Sequence, residues 1–505
     1  MKKRFFILIV LDVLLILTAF YISILLKGAY FQTYFTNYAD ALVVFSVIWI
    51  VVSMLSGKFI FTKYSSRKIS GGIVKANFIT TAIVTFLIFF TRSINYSRFL
   101  VFSTIIITTL LELIIYNIWI SLKKAKVLPD DVLGIVERSL KFSIPAIVQP
   151  KENIPKHKIQ NIQNAILEEY SSNVFSFIKD NTNLFSETTL LVATTTPFNI
   201  QNQLSNHFNT IINLKRVNDI RRINKFFEAV NQKLPVGGSF VCVVETQEQR
   251  KSRLLRKFPP VLNWIYYFFD FLLKRIFPKF SVTKWLYFLV TRGENRVVSK
   301  AEMLGRLYSC GFYVVKEEAI DNLYYVISSK IRKPYFDMEP TYGPLIKLRR
   351  VGKGGKIIKV YKLRTMHPYS EYLQEYIYSK HNLEQGGKFK DDFRVSTIGK
   401  LLRKFWIDEL PMIINLLKGD LKIVGVRPLS RHYFSLYSQE LRERRIKYKP
   451  GLVPPFYVDN PKTLDEIMAS EIKYFDAYDK HPVITDFKYF FVATYNIVFK
   501  KLRSN

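Results

Sequence analysis

The chain opens on four long apolar runs, at about 5–26, 41–62, 72–91 and 99–121, divided by short polar stretches. A helix rises about 1.5 Å per residue, so a run of about 20 residues matches a hydrocarbon core of about 30 Å and predicts a membrane-spanning helix. The third run is interrupted near its start by Lys75 and Asn77. The first follows Met1-Lys2-Lys3-Arg4, is too long for a signal peptide and has no small-residue cleavage site after it, so it is expected to be retained. Basic residues gather in Lys2-Lys3-Arg4, between Lys63 and Lys75, and in Lys123-Lys124-Lys126, while the two other loops hold fewer. The positive-inside bias then places both ends of the bundle, and everything after residue 125, in the cytoplasm. Asp12 and Glu112 lie inside spans. A carboxylate in hydrocarbon must find a partner or mark an ion path. No repeated polar stripe accompanies these two, so pairing between helices is expected, with Asp12 near enough to a helix end to reach the interface.

From about 128 to 250 the apolar runs shorten. ETTLLVATTT (187–196) and SFVCVVET (239–246) read as buried strands, and NDIRRINKFFEAVNQKL (218–234) as an amphipathic helix. Pro235 and Gly237-Gly238 punctuate the helix-to-strand step. This α/β pattern resembles a Rossmann-like or degenerate methyltransferase-like domain. Without a glycine-rich turn after a first strand, close backbone approach to a dinucleotide or adenosyl cofactor is not expected, and the stretch reads as a spacer or regulatory module. Residues 258–295 change character again, with Pro259-Pro260, VLNWIYYFFDFLLKRIF, Pro278 and WLYFLV. Trp264, Tyr266, Tyr267 and Trp285 suit the headgroup level, and Lys274, Arg275, Lys279 and Lys284 suit anionic lipid. A re-entrant or in-plane helix is expected; a buried aromatic core helix is the competing reading.

Composition sharpens this picture. A net charge of +34, from 74 Lys+Arg against 40 Asp+Glu, accompanies a 49% hydrophobic share, which fits neither a disordered chain nor a plain soluble enzyme. Such a field attracts anionic lipid, phosphorylated substrates or nucleic acid alike. The membrane segments favour the first two, and no nucleic acid partner is expected. Cys242 and Cys310 are too few and too far apart for a disulfide framework or structural zinc. His367, His432 and His481 have no ligand spacing and read as surface or satisfied histidines.

Residues 343–366, GPLIKLRRVGKGGKIIKVYKLRTM, hold Lys347, Arg349, Arg350, Lys353, Lys356, Lys359, Lys362 and Arg364 and no acidic residue. A Gly354-Gly355 turn predicts a basic β-hairpin with alternate cations on one face, able to fork or point charge onto phosphate oxygens. A string of short blocks follows: Arg364-Thr365-Met366, Asp392-Phe393-Arg394-Val395, Gly399 with Leu402-Arg403, Asp408-Glu409-Leu410-Pro411, Asn415-Leu416-Leu417-Lys418-Gly419-Asp420 and Val424-Gly425-Val426-Arg427-Pro428, with Lys449-Pro450-Gly451 beyond. In order and spacing these resemble the bacterial sugar transferase family of polyprenyl-phosphate hexose-1-phosphate transferases. The whole chain resembles that family's large form, with four membrane helices and a Rossmann-like domain ahead of the catalytic module. Val426 stands where the family has a proline, and Val453-Pro454-Pro455-Phe456 replaces a Thr-Gly-Leu-Trp-like stretch.

The resemblance implies an enzyme, a phosphoglycosyl transferase. It would move a sugar 1-phosphate from a nucleotide sugar, with UDP expected, onto polyprenyl (undecaprenyl) phosphate, the first membrane step of exopolysaccharide, capsule or O-antigen assembly. It implies that Asp408 attacks the β-phosphorus while Glu409 assists a metal. Adjacent carboxylates would repel a pyrophosphate unless a divalent cation intervened, so Mg²⁺ held by Asp408 and Glu409 is expected. Lys362, Arg364, Arg403 and Arg427 would balance charge on the substrate phosphates. The expected architecture is a four-span α-helical bundle (1–125), the Rossmann-like α/β domain (126–257), a membrane-associated helix and insert (258–342), and a mostly α membrane-associated catalytic domain with the basic hairpin (343–505). The location expected is the bacterial inner membrane, with the soluble domains in the cytoplasm. Membrane lipids join the two substrates as partners, and a homo-oligomer stays open. Two competing readings are a membrane-anchored methyltransferase or nucleotide-binding protein acting through 126–257, and a non-catalytic scaffold. The end of the chain, DFKYFFVATYNIVFKKLRSN, suits a surface-bound amphipathic helix or a packed terminal one.

Overall fold

The computed structural model describes residues 2–28, 31–58, 66–90, 97–128, 155–279, 283–335, 343–373, 376–377, 392–461 and 463–500. The side chains of Lys2 to Arg4, Lys63, Lys124, Lys126 and His432, all invoked above, lie outside the described ones, as do those of Arg67 and Lys68 in the basic loop and residues 501–505. The chain divides into two units.

The first unit, residues 1–124 with 279–285, contains helices α1 (Lys2–Leu26), α2 (Phe31–Leu55), α3 (Ser66–Phe90) and α4 (Arg98–Lys124). All four are long and apolar enough to cross a membrane. The second begins earlier than its apolar run and stops at Leu55, because the chain turns back at Lys58 and sends its side chain inward. Lys58 Nζ donates to Asp12 at 2.6 Å and to Glu112 at 2.5 Å, with all three side chains fully buried. Trp49 and Asn77 donate to Glu112 at 3.1 and 2.9 Å, and the Tyr116 hydroxyl donates to Asp12 at 3.2 Å. The expected pairing is therefore present. Asp12 is buried among the helices: an unpaired carboxylate away from water is so costly that the bundle closes a cation and a hydroxyl over it.

The second unit, residues 125–278 and 286–505, contains two main sheets. Its first strand, β1 (Lys126–Leu128), sits in the stretch assigned above to the α/β domain, yet it pairs in parallel with β7 (Leu345–Val351) of the basic segment. Helices α5 (Lys156–Leu167) and α6 (Ser172–Asn181) lead into β2 (Thr189–Val192), and α7 (Pro197–Gln201) into β3 (Thr210–Arg216). Then come α8 (Ile223–Lys233), β4 (Ser239–Val244) and α9 (Gln247–Lys257). Strands β2, β3 and β4 are parallel.

The sheet does not end at residue 257. After α10 (Leu262–Phe271), a π-helical turn (Leu272–Ile276) and α11 (Lys284–Thr291), the chain returns through α12 (Lys300–Ser309), β5 (Phe312–Ile320) and β6 (Leu323–Lys330). β6 inserts antiparallel between β4 and β5, giving the order β2-β3-β4-β6-β5. The cause is legible in β4: Phe240, Cys242 and Val244 feed one core while Val241 and Val243 feed another, so this strand is apolar on both faces and needs a neighbour on each edge. The supposed spacer and the supposed insert are thus one α/β body interrupted by an aromatic segment. That segment is not a core helix, since Trp264, Phe268 and Phe269 are more than half exposed.

Candidate active site

The hairpin pairs β7 with β8 (Ile357–Leu363) through a turn in which Gly354 and Gly355 take φ of 68° and 73°, a region open to glycine. In this register Lys362 lies opposite Ile346 and Arg350 opposite Ile358, so Arg350, Val360 and Lys362 share one face. Lys347, Arg349 and Lys359 occupy the other. The pleat therefore sets alternate cations on a common face, Lys347, Arg349 and Lys359 on one and Arg350 and Lys362 on the other.

Beyond β8, Thr365 is the point on which the next element is built. Its carbonyl accepts from the Ser396 amide at 3.0 Å and from the Ser396 hydroxyl at 3.1 Å. Ser396 in turn caps α13 (Thr397–Lys404) by accepting from the Gly399 amide at 2.9 Å. A Cβ on Gly399 would fall 1.8 Å from that same carbonyl oxygen, so only glycine allows the helix to start this close. Arg403, on the last turn of α13, donates to the Thr365 hydroxyl at 3.1 Å. Trp406, left-handed at φ 60°, then bends the chain into a 3₁₀ turn, Ile407–Met412, that carries Asp408 and Glu409.

Two further contacts hold this turn. Asn415, fully buried on α14 (Ile413–Leu417), donates to the Lys359 carbonyl at 2.9 Å and accepts from the Tyr361 amide at 3.0 Å, fixing the turn against β8. On the other side β9 (Lys422–Val424) pairs with β10 (Gly451–Val453) so tightly that a Cβ on Gly451 would lie 2.1 Å from the Gly425 nitrogen. Those facing glycines let Arg427 swing toward the dyad. Val426, where the family has proline, is buried in the core formed with α15 (Arg431–Ser435), α16 (Gln439–Lys447), α18 (Leu464–Lys480) and α19 (Pro482–Val498).

The result is a small cleft lined by Arg350, Lys362, Glu409, Arg427, Phe456 and Tyr457, the last two from α17 (Phe456–Asp459). Lys362 donates to Glu409 at 2.5 Å and Arg427 approaches it to 3.7 Å. Among the described residues Asp408 carries no ion pair. The neighbouring carboxylates are driven apart in acidity. Burial raises the pKa of Asp408, with Glu409 adding to the rise and Lys362 and Arg403 opposing it. Burial also pushes Glu409 upward, but Lys362 and Arg427 together outweigh it, and its pKa is lowered. Two like groups pushed in opposite directions are a mark of divided roles. Lys362 itself is lowered, chiefly by burial.

Of the four cations expected around the phosphates, Lys362 and Arg427 flank the dyad and Arg403 stands beside Thr365. Arg364 does not line the cleft. It faces Glu371 at 3.6 Å and donates to the Gly343 carbonyl at 3.0 Å. Arg350, Thr365, Trp406, Phe456 and Tyr457 were not singled out as site residues; only the strand register and the burial of α17 bring them in. Among the described residues no group of three or more His, Cys, Asp or Glu side chains could hold a metal ion. The dyad itself offers two adjacent carboxylates, a donor set suited to Mg²⁺ only if substrate phosphates and water complete it.

The α/β body grips the strand end that supplies Thr365. Arg275, from the π-helical turn, is buried and pairs with Glu302, so it does not face lipid as its position in the aromatic segment implied. It also donates to the Val297 carbonyl at 2.9 Å and meets His367 Nδ1 at 3.3 Å. A Cβ on Gly305 would lie 2.2 Å from the Tyr369 carbonyl oxygen, and Asn224 donates to the Tyr369 hydroxyl at 3.1 Å. Around the dyad, Ile398, Leu401, Phe405, Leu410, Ile413 and Leu417 stand exposed as an apolar rim.

Comparison with known proteins agrees with this geometry. The family model for bacterial sugar transferases matches residues 336–501. A galactosyl transferase, CpsE, of Streptococcus agalactiae is 37% identical over 138 residues, 26% of this chain and 30% of that protein. An undecaprenyl-phosphate galactose phosphotransferase of Salmonella typhimurium is 33% identical over 122 residues, 23% of this chain and 25% of that one. A putative undecaprenyl-phosphate N-acetylgalactosaminyl 1-phosphate transferase of Bacillus subtilis is 37% identical over 121 residues, 21% of this chain and 60% of that one. Each match spans less than two thirds of the relative's own length. Residues 336–501, which hold the dyad and its cations, are thus similar to the bacterial sugar transferase family.

Proposed function

We propose that this chain is a phosphoglycosyl transferase that moves a sugar 1-phosphate from a UDP-sugar to undecaprenyl phosphate at the cytoplasmic face of the bacterial inner membrane. The observation that carries the reading is the asymmetry of the dyad: Glu409 is engaged by Lys362 and Arg427, whereas Asp408 is left with no ion pair among the described residues. A carboxylate of that kind can serve as a nucleophile. An Asp408 oxygen attacks the β-phosphorus, the bond to the bridging oxygen breaks, and that oxygen leaves with its electron pair on UMP. The phosphate of the acceptor lipid then attacks the same phosphorus, the acyl phosphate bond breaks, and Asp408 is regenerated as a carboxylate.

Lys362, Arg427 and Arg403 stand where they can offset charge on the phosphoryl oxygens throughout, and Arg350 extends the positive wall of the cleft. Mg²⁺ held by Asp408 and Glu409 would supply charge neutralisation of the incoming pyrophosphate. The exposed apolar rim gives the hydrocarbon of the acceptor a surface to approach along. The methyltransferase reading gains no support, since the matches to known families lie in the dyad-bearing segment.

The test supplies purified full-length protein with undecaprenyl phosphate and a panel of UDP-sugars and scores nucleoside monophosphate release. One sugar should release UMP in a lipid-dependent manner, with loss in chelator and recovery in Mg²⁺. No release with any sugar, together with binding of S-adenosyl methionine, would contradict the proposal.

A further inference from the structure

The helical hairpin that ends the catalytic domain contains a second cleft that the reaction does not use. Helices α18 and α19 turn their inner faces, through Tyr474, Phe475, Tyr489 and Ala493, into the core. The Thr485 hydroxyl donates to the Ala477 carbonyl at 3.0 Å and draws the two helices together near their junction. Alongside lies a cleft of about 480 Å³ with Val458, Ile484, Tyr489 and Val492 among its walls. Lys473, Asp476, Lys480, His481 and Lys488 also line it.

The charges there do not cancel. Lys473 is paired with Asp459 at 2.8 Å, and Asp476 with Arg444 at 2.7 Å. Lys480 and Lys488 are both exposed, and among the described residues neither carries an ion pair. Phe487, Phe491 and Tyr495 of α19, with Phe499 just past its end, recur at intervals of four as one stripe, each between 54% and 70% exposed. An aromatic stripe on one helix face and two uncompensated lysines at the rim of an apolar cleft together match an amphiphile with hydrocarbon chains and one phosphate.

We propose that this cleft holds one anionic phospholipid of the surrounding bilayer, its phosphate on Lys480 and Lys488 and its chains against Ile484, Val492 and the Phe487–Phe491 stripe. A bulk phospholipid is favoured over the acceptor lipid because α17 stands between the two clefts. Phe456 and Tyr457 line the catalytic one, whereas Val458 lines this one, and Asn496 fixes the Tyr457 carbonyl at 3.0 Å. A phosphate bound here is walled off from Asp408. The lipid would act as a fixed anchor and hold α17, and with it one wall of the catalytic cleft, at the membrane surface.

Native mass spectrometry of full-length protein released from nanodiscs tests this with three probes: phosphatidylglycerol, phosphatidylcholine and undecaprenyl phosphate. Wild type should retain one phosphatidylglycerol more than the Lys480→Gln/Lys488→Gln double variant, whose affinity at this position should fall about tenfold or more. The Lys480→Arg/Lys488→Arg variant should keep the lipid, which separates charge from folding. Retention of phosphatidylcholine equal to that of phosphatidylglycerol, or unchanged phosphatidylglycerol in the Gln variant, would overturn the proposal. Displacement of phosphatidylglycerol by equimolar undecaprenyl phosphate would overturn it too, by making the cleft an acceptor site.

Discussion

Two places in this chain bring one lysine against two carboxylates, and they treat them oppositely. In the helical bundle Lys58 bonds both Asp12 and Glu112, with Trp49, Asn77 and Tyr116 adding donors until the group is sealed from solvent. In the catalytic domain Lys362 bonds only Glu409, and Asp408 is kept half-buried beside it without an ion pair among the described residues. A satisfied cluster fixes structure. On the proposed reading a cluster with one anion held back keeps a nucleophile, because a carboxylate already committed to a cation has less to offer a phosphorus atom.

The comparison breaks most sharply at Asp408. Asp408→Asn removes the nucleophilic oxygen and keeps the shape, so turnover should drop by about 10⁴-fold or more while thermal stability in detergent stays within about 1 kcal/mol. Residual activity of several per cent would remove Asp408 from the chemistry. The mirror-image change is Lys58→Met. It strands two buried carboxylates and should destabilise the bundle by about 3–5 kcal/mol, read as a lowered unfolding midpoint. Turnover per folded molecule should not change. An unaltered midpoint would mean that the bundle does not depend on its ion cluster.

Lys362→Gln is expected to act on both carboxylates. Lys362 opposes the rise in the pKa of Asp408 and depresses that of Glu409, so its loss should raise both. Asp408 must be ionised to attack, and activity is lost as pH falls through its pKa. The acid limb of the rate profile should therefore move to higher pH, with about a 100-fold loss at neutral pH. A profile of unchanged shape would show that Lys362 does not set the charge of the dyad.

The smallest effect is expected at Arg275, which touches no part of the cleft but pins His367 on the strand end that carries Thr365. Arg275→Gln should lower kcat about tenfold with little change in KM for the nucleotide sugar, the signature of lost positioning. Arg275→Lys should recover part of it. A change confined to KM would place Arg275 in substrate binding.

Much of this was legible in the chain and some was not. The four apolar runs gave the bundle because lipid demands length and little else. The dyad stood out because its neighbours, Gly399, Asn415, Gly425 and Gly451, are dictated by close approaches that few residues permit. The full extent of the α/β sheet was not legible because β6, which pairs with β4, begins about 80 residues beyond it, past an aromatic segment, and a neighbour from that distance leaves no local periodicity. Charge in the local sequence does not reveal which carboxylates Arg364 and Arg275 face. Their carboxylate partners, Glu371 and Glu302, come from other elements.

The account rests on a covalent Asp408 intermediate, and the order of product release tests it directly. Enzyme at micromolar concentration, given its nucleotide sugar and no lipid, should release about one equivalent of nucleoside monophosphate per active site and then stall, restarting when undecaprenyl phosphate is added. The absence of a burst, together with initial-rate plots that intersect instead of running parallel, would show that both substrates must bind before any bond breaks, and Asp408 would then be a metal ligand or a base and not the nucleophile.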